Sequence, residues 1–168
     1  MLICEEGLNS FSFFLKSCDI IFVKMEKYRV KVTPIVYLML TKENNILLLR
    51  RYNTGFHDGL YSFPAGHIEK DESLIQAVIR ERREEMGIES KLEDLNLVHV
   101  MHLEGERIGF LFRTEKWEGK PKIMEPNKCD DVSWFDINKL PDNIVPYVKE
   151  VINCLEQRIF YSEYGFEK

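Results

Sequence analysis

Cysteine is scarce in this chain of 168 residues, and the four present, Cys4, Cys18, Cys129 and Cys154, form no CxxC pair. The four histidines stand at no ligand spacing from them, so free or buried thiols in a reducing compartment are expected, not disulfides or zinc. Long apolar runs are missing: nothing approaches the roughly 18 residues of a membrane helix, and no membrane partner is expected. Positive charge is short as well. A formal net charge of −5 argues against a surface built for a nucleic-acid polymer or an anionic membrane, though local Lys and Arg could still hold a small anionic substrate. The opening Met1-Leu2-Ile3-Cys4-Glu5-Glu6 is acidic where a secretory signal would be basic, and Lys16, Asp19 and Lys24 interrupt its apolar stretches. A cytoplasmic location is therefore expected. No internal repeat or low-complexity tract occurs.

What is present suits one globular domain, since 45% hydrophobic residues over this length supply a real core. Residues 1–24 look different from the rest, with Phe11, Phe13, Phe14, Ile20, Ile21, Phe22 and Val23 in an irregular pattern. They read as an extension: either residues ahead of a natural start at Met25, or a short packing element that could support a homodimer. The domain proper is 25–168. Val32 to Leu40 is a predicted core strand, Glu43-Asn44-Asn45 a turn and Ile46 to Leu49 its partner. Leu95 to Leu103 and Ile108 to Thr114 form a second hairpin around Glu104-Gly105-Glu106, and Val132 to Phe135 a further strand after a polar loop from Glu115. Asn143 to Gln157 is an amphipathic helix burying Val145, Val148, Val151, Ile152 and Leu155. Helices flanking a mixed sheet give an α/β/α sandwich.

The segment Gly66 to Ile88, GHIEKDESLIQAVIRERREEMGI, carries the chemistry. Ser73 followed by Gln76 is a capping-box pattern, and Gly87 is a left-handed stop, so a helix is predicted from Leu74 to Met86. Glu81, Glu84 and Glu85 share one side of it. A solvated, salt-bridged face would explain such a triple by itself. The preceding Pro64-Ala65-Gly66 adds a glycine turn that lets backbone carbonyls and carboxylates converge on one hard cation, Mg²⁺ or Mn²⁺, which points to phosphate chemistry.

Gly66, Glu72, Arg80, Glu81, Glu84, Glu85, Gly87 and Ile88 fall on every fixed position of the Nudix box, and the chain resembles the Nudix hydrolases from about Lys31 to Glu156. Arg82 departs from the pattern, standing where the box has an aliphatic residue. It falls on a stripe with Ile75, Ile79 and Met86 that should pack on the sheet, so it must snorkel or find a buried anion.

The resemblance implies a Nudix α/β/α sandwich and divalent-metal-dependent hydrolysis of a nucleoside diphosphate linked to another group. It makes Glu81, Glu84 and Glu85 metal ligands with the Ala65 carbonyl, Glu72 and Arg80 a structural ion pair, and Gly66 and Gly87 geometric. Glu81 or a loop acid would accept the proton from water. Glu118, Glu125, Asp130 and Asp131 are the loop candidates, with Glu125 favoured, and Glu84 joins the catalytic set. Glu69 and Asp71 read as solvent-facing or capping. Arg50, Arg51 and His67 are candidates for substrate contact. Tyr52, Phe56 and Tyr61 could stack a base, but aromatics near a sheet read first as core, as does Trp134. His57, His99 and His102 read as ordinary strand or loop histidines.

Markers of the ADP-ribose, dinucleoside polyphosphate, NADH and coenzyme A subgroups are missing. By elimination the expected substrate is a small nucleotide, a (deoxy)nucleoside triphosphate cleaved to monophosphate and pyrophosphate. A nucleotide-sugar or other nucleoside diphosphate hydrolase is the alternative within enzymes. A non-catalytic nucleotide sensor on the same fold is the alternative outside them.

Overall fold

The computed structural model describes residues 30–166; the extension at residues 1–24 lies outside that range. The described residues from Val32 onward form one compact unit. Its elements are β1 (Thr33–Lys42), β2 (Asn45–Arg51), β3 (Tyr61–Ser62), β4 (Ala65–His67), α1 (Leu74–Met86), a 3₁₀ turn (Leu92–Asp94), β5 (Asn96–Leu103), β6 (Arg107–Thr114), β7 (Cys129–Asp136), α2 (Pro146–Glu156) and β8 (Tyr161–Tyr164).

The strand β1 organises the sheet. It runs parallel to β6 along most of its length and antiparallel to β4 at its start, while only its last residues pair with β2. The strand order is β3-β2-β1-β6-β5-β8, with β4 on β1 and β7 on β2. The sheet is mixed, as expected. β1 is an almost unbroken apolar run because both of its faces are covered. Ile35, Tyr37 and Met39 meet Val148, Val151 and Ile152 of α2. The alternate residues Val36, Leu38 and Leu40 meet Ala77, Val78 and Met86 of α1. Two helices on opposite faces of one sheet make the α/β/α sandwich.

Helix α1 has the predicted bounds. Ser73 Oγ accepts from the Gln76 N–H at 3.3 Å, the Ser73 N–H donates to Gln76 Oε1 at 2.8 Å, and Gly87 closes the helix at φ 65°. Its orientation differs from the predicted stripe. Ala77, Val78, Arg82 and Met86 are buried, whereas Ile75 is exposed. Arg82 and Met86 point inwards as the stripe predicts, while Ala77 and Val78 take the place expected of Ile75 as Glu81 and Glu85 approach β4.

Arg82 is only 3% exposed, and it finds its anion: it donates to Glu89 Oε2 at 3.0 Å and to Ser90 Oγ. Glu89 also accepts from Arg83 Nε at 2.6 Å, while the buried Arg82 Nε has no hydrogen-bond partner among the described residues. A buried ion pair with one orphaned donor is weak support for stability. Arg82→Leu is therefore expected to be neutral or to stabilise by up to about 1 kcal/mol. Glu89→Ala, which strands the guanidinium, is expected to cost about 1–2 kcal/mol, moderated by the exposure of Glu89. Urea unfolding of the two variants measures both.

Other expectations shift. The short β3, β4 and β8 carry too few residues to show a period, and β8 exists by pairing parallel to β5. β7 begins at Cys129, and α2 begins at Pro146, whose fixed φ suits the first helical turn. Trp134 is 38% exposed and stacks on Trp117 at 5.8 Å between centroids, so it is not core. Tyr52 and Phe56 are likewise exposed, while Tyr61 is buried. His99 is fully buried between the Ile159 carbonyl and Ser162.

Candidate active site

Three chain segments converge where β4 meets α1. In the β1–β4 pair Gly66 lies opposite Val36, on the face covered by α1. The Glu81 carboxylate comes so close that a Cβ on Gly66 would sit 1.7 Å from Glu81 Oε1. One residue earlier, the Ala65 N–H donates to Glu85 Oε2 at 3.0 Å. Strand and helix are thus joined through two carboxylates.

Arg80 fastens the approach to the helix. Its Nε and Nη2 each donate to Glu72 at 2.9 Å, and Nη2 also reaches the His67 carbonyl at 2.9 Å. Its Nη1 donates to Glu81 Oε1 at 2.5 Å and to Glu84 Oε2 at 3.1 Å. One guanidinium therefore holds the loop and sets two carboxylates of the triple.

The third segment is the loop before β7. Glu118 and Glu89 exchange backbone hydrogen bonds, and the N–H groups of Lys122 and Met124 donate to the carbonyls of Met86 and Glu85 at 3.2 and 3.1 Å. The loop thereby satisfies carbonyls at the end of α1 that have no partner within the helix, and it delivers Glu125 to the site. Gly87 does more than stop the helix: a Cβ there would lie 3.1 Å from Met124 Sδ.

The result is a cleft of about 340 Å³ lined by Arg50, Arg51, Ala65, Gly66, His67, Arg80, Glu81, Glu85 and Glu125. Glu84, with its side chain 52% exposed, turns towards Arg80 instead. Of the four loop acids only Glu125 lines the cleft. Asp130 is taken by Arg50 at 2.7 Å, Asp131 by Tyr61 and Ser133, and Glu118 runs beside Glu89. Sequence reasoning passed over Lys128, Thr54 and Glu69, which also line the cleft. Lys128 pairs with Glu125 at 2.7 Å, and a lysine three residues after an acid was the available signal. Glu69 is solvent-facing, as expected, and also lines the cleft.

Charge is unevenly compensated. Burial pushes the Glu85 carboxyl up to about 8, and neighbouring Glu81 and Glu125 add to it against the opposing Ala65 N–H. Burial also raises Glu81, with the Arg80 guanidinium opposing. Glu125 holds the Lys128 ammonium above its ordinary range.

No three His, Cys, Asp or Glu among the described residues converge closely enough to hold an ion as they stand. The donor set nonetheless fits a hard divalent cation. It consists of carboxylate oxygens, and Glu85 sits among like charges with only the Ala65 N–H and the Arg51 charge against it.

Fold and site define a hydrolase of phosphoanhydride bonds. The NUDIX domain profile matches residues 31–153, and the chain belongs to the Nudix family, whose members generally use divalent metal ions and act on small nucleotides. It is 32% identical over 122 residues to an ADP-ribose pyrophosphatase from Methanocaldococcus jannaschii, covering 70% of each chain. It is 30% identical to an NAD-capped RNA hydrolase, NudC, from Stutzerimonas stutzeri over 66% of this chain but only 39% of the relative. A MutT NUDIX hydrolase structure from Burkholderia pseudomallei superposes with a TM-score of 0.68 at 23% identity, covering 73% of this chain and 97% of that one, a likeness of fold. No described helix is long and apolar enough to cross a membrane.

Proposed function

We propose that this protein is a pyrophosphohydrolase of nucleoside diphosphate-linked substrates, with a (deoxy)nucleoside triphosphate cleaved to monophosphate and pyrophosphate as the leading substrate class. The observation that carries it is a single cleft lined by Glu81, Glu85 and Glu125 together with Arg50, Arg51 and Lys128. The carboxylates suit divalent cations and the basic groups suit phosphate oxygens, a combination that suits a polyphosphate.

Glu81, Glu84 and Glu85, with the Ala65 carbonyl, are the groups to hold Mg²⁺ or Mn²⁺, which when bound supplies charge neutralisation and a more acidic attacking water. Glu81 or Glu125 accepts the proton as the water oxygen bonds to phosphorus and the bridging P–O bond breaks. A raised pKa suits Glu81 to that work. Arg51 binds phosphate oxygens, and Arg80 with Glu72 keeps the carboxylates in place. Arg50, already paired with Asp130, and Lys128, paired with Glu125, contribute less.

A second reading has one specific support, the Methanocaldococcus relative named an ADP-ribose pyrophosphatase. The absent subgroup marker weighs against it. A panel with Mg²⁺ decides: nucleoside triphosphates, 8-oxo-dGTP, ADP-ribose, NADH, nucleotide sugars and dinucleoside polyphosphates, each with wild type and Glu84→Gln. Pyrophosphate release from triphosphates, reduced roughly 100-fold or more in the variant, is the expected result. AMP and ribose 5-phosphate from ADP-ribose would install the second reading. No turnover with nucleotide binding intact would make the protein a sensor.

A further inference from the structure

The loop between β2 and β3 is built to hold one aromatic ring at the surface. Asp58 accepts from the N–H groups of Thr54 and Gly55, both at 2.9 Å, and from Thr54 Oγ1 at 2.6 Å. Asn53, Gly55, His57 and Gly59 all adopt positive φ, a winding that this ring of hydrogen bonds stabilises. Arg51 adds a donation from Nε to the Phe56 carbonyl at 2.6 Å. The ring of Phe56 is left 45% exposed.

Two guanidiniums accompany that ring. Arg51 lies 5.6 Å and Arg107 5.5 Å from its centroid. Neither is in an ion pair with a carboxylate among the described residues, unlike Arg50, Arg80, Arg82, Arg83 and Arg113. The platform is anchored inwards, because His57 contacts Phe56 edge-on at 4.1 Å and reaches the buried Tyr147 of α2 at 6.4 Å. It also adjoins the chemistry, since Arg51 and Thr54 line the cleft beside Ala65 and Glu85.

An exposed ring, held rigid and flanked by uncompensated guanidiniums, is a surface for a flat π system that carries negative charge. Guanidinium and phenyl planes stack on nucleobases irrespective of base identity; Arg107 is oriented by donating to the Glu104 carbonyl, and Arg51, which donates to the Phe56 carbonyl and Thr54 Oγ1, keeps its Nη1 for phosphate. We propose that Phe56 and Arg107 form the nucleobase subsite, with Arg51 bridging it to the phosphate end of the cleft. This deepens the hydrolase reading and rests on it for the substrate class. Its expected consequence is affinity for the nucleoside half with little discrimination among bases.

The test is equilibrium binding, which does not require turnover. AMP, GMP, CMP and UMP are compared with ribose 5-phosphate and inorganic pyrophosphate, in the presence of Mg²⁺, by calorimetry. The nucleoside monophosphates should bind the wild type roughly tenfold or more tightly than ribose 5-phosphate. Phe56→Leu and Arg107→Gln should each erase most of that preference, Phe56→Trp should keep it, and pyrophosphate affinity should not change. Thermal melts show which variants are folded, and Arg107→Gln alone carries the test if Phe56→Leu is not. Equal binding of nucleoside monophosphates and ribose 5-phosphate by the wild type overturns the subsite, as does a preference that survives both substitutions. Loss of the hydrolase reading is a separate result, visible only as the absence of turnover in the wild type.

Discussion

Replacing Glu85 with glutamine is expected to remove most of the hydrolysis and, in the same protein, to raise the stability of the metal-free form at pH 8. Both effects come from one feature. The Glu85 carboxyl is half-buried against β4 and accepts one hydrogen bond there, from the Ala65 N–H; desolvation first, then the charges of Glu81 and Glu125, push its pKa up to about 8. In the unfolded chain the same group titrates near the ordinary value of 4.5. Between those values the folded state holds the extra proton, so stability is full below about pH 4.5 and falls as pH rises through 8. Glutamine keeps an acceptor for the Ala65 N–H and removes that dependence. The gain should be on the order of 1–4 kcal/mol at pH 8, read by urea unfolding with EDTA against pH. Hydrolysis should drop by roughly 10²–10³-fold in kcat/KM, because the glutamine carries no charge to set against a cation. Retained activity would remove Glu85 from the catalytic set. An unchanged pH profile of stability would mean that the carboxylate is better solvated than its surroundings imply.

Gly66→Ala should produce a loss of similar size from a single methyl group. The added Cβ would lie 1.7 Å from Glu81 Oε1, so the carboxylate must leave its place. It cannot leave freely, because Arg80 Nη1 holds it at 2.5 Å and the same guanidinium is committed to Glu72. Displacement therefore separates Glu81 from Glu85 and disturbs the Arg80 cluster. The expected outcome is a fall of roughly 100-fold or more in kcat with a folding cost of about 1–3 kcal/mol. A folded Gly66→Ala protein with wild-type kcat would show that the position of Glu81 is dispensable. The companion Gly66→Ala, Glu81→Ala is expected to regain stability, since the clash is gone, without regaining activity.

Most of the site was legible because its residues are close in sequence and lie on one helix. Ser73, Gln76 and Gly87 announce the helix ends through local hydrogen bonding and backbone conformation, which operate whatever the rest of the chain does. Glu81, Glu84 and Glu85 then follow from helical spacing alone. The closeness of Gly66 to Glu81 is of another kind. It depends on β4 pairing with β1, a contact across about thirty residues of sequence. On α1 the stripe places Arg82 and Met86 inside, as found, but also Ile75, which packing leaves exposed; the carboxylate that meets Arg82, Glu89, lies beyond the helix end.

By itself, then, this chain's sequence determined its helix termini, its apolar strands, its family and the carboxylates of its box, because short-range geometry and periodicity act within a few residues. Tertiary structure decided which loop acid reaches the cleft, that Glu84 turns to Arg80 while Glu85 is half-buried in the cleft, and that Phe56 stands exposed beside Arg51 and Arg107. Burial and charge compensation are properties of neighbours in space, and the cleft draws those neighbours from segments as far apart in sequence as Leu49 and Cys129.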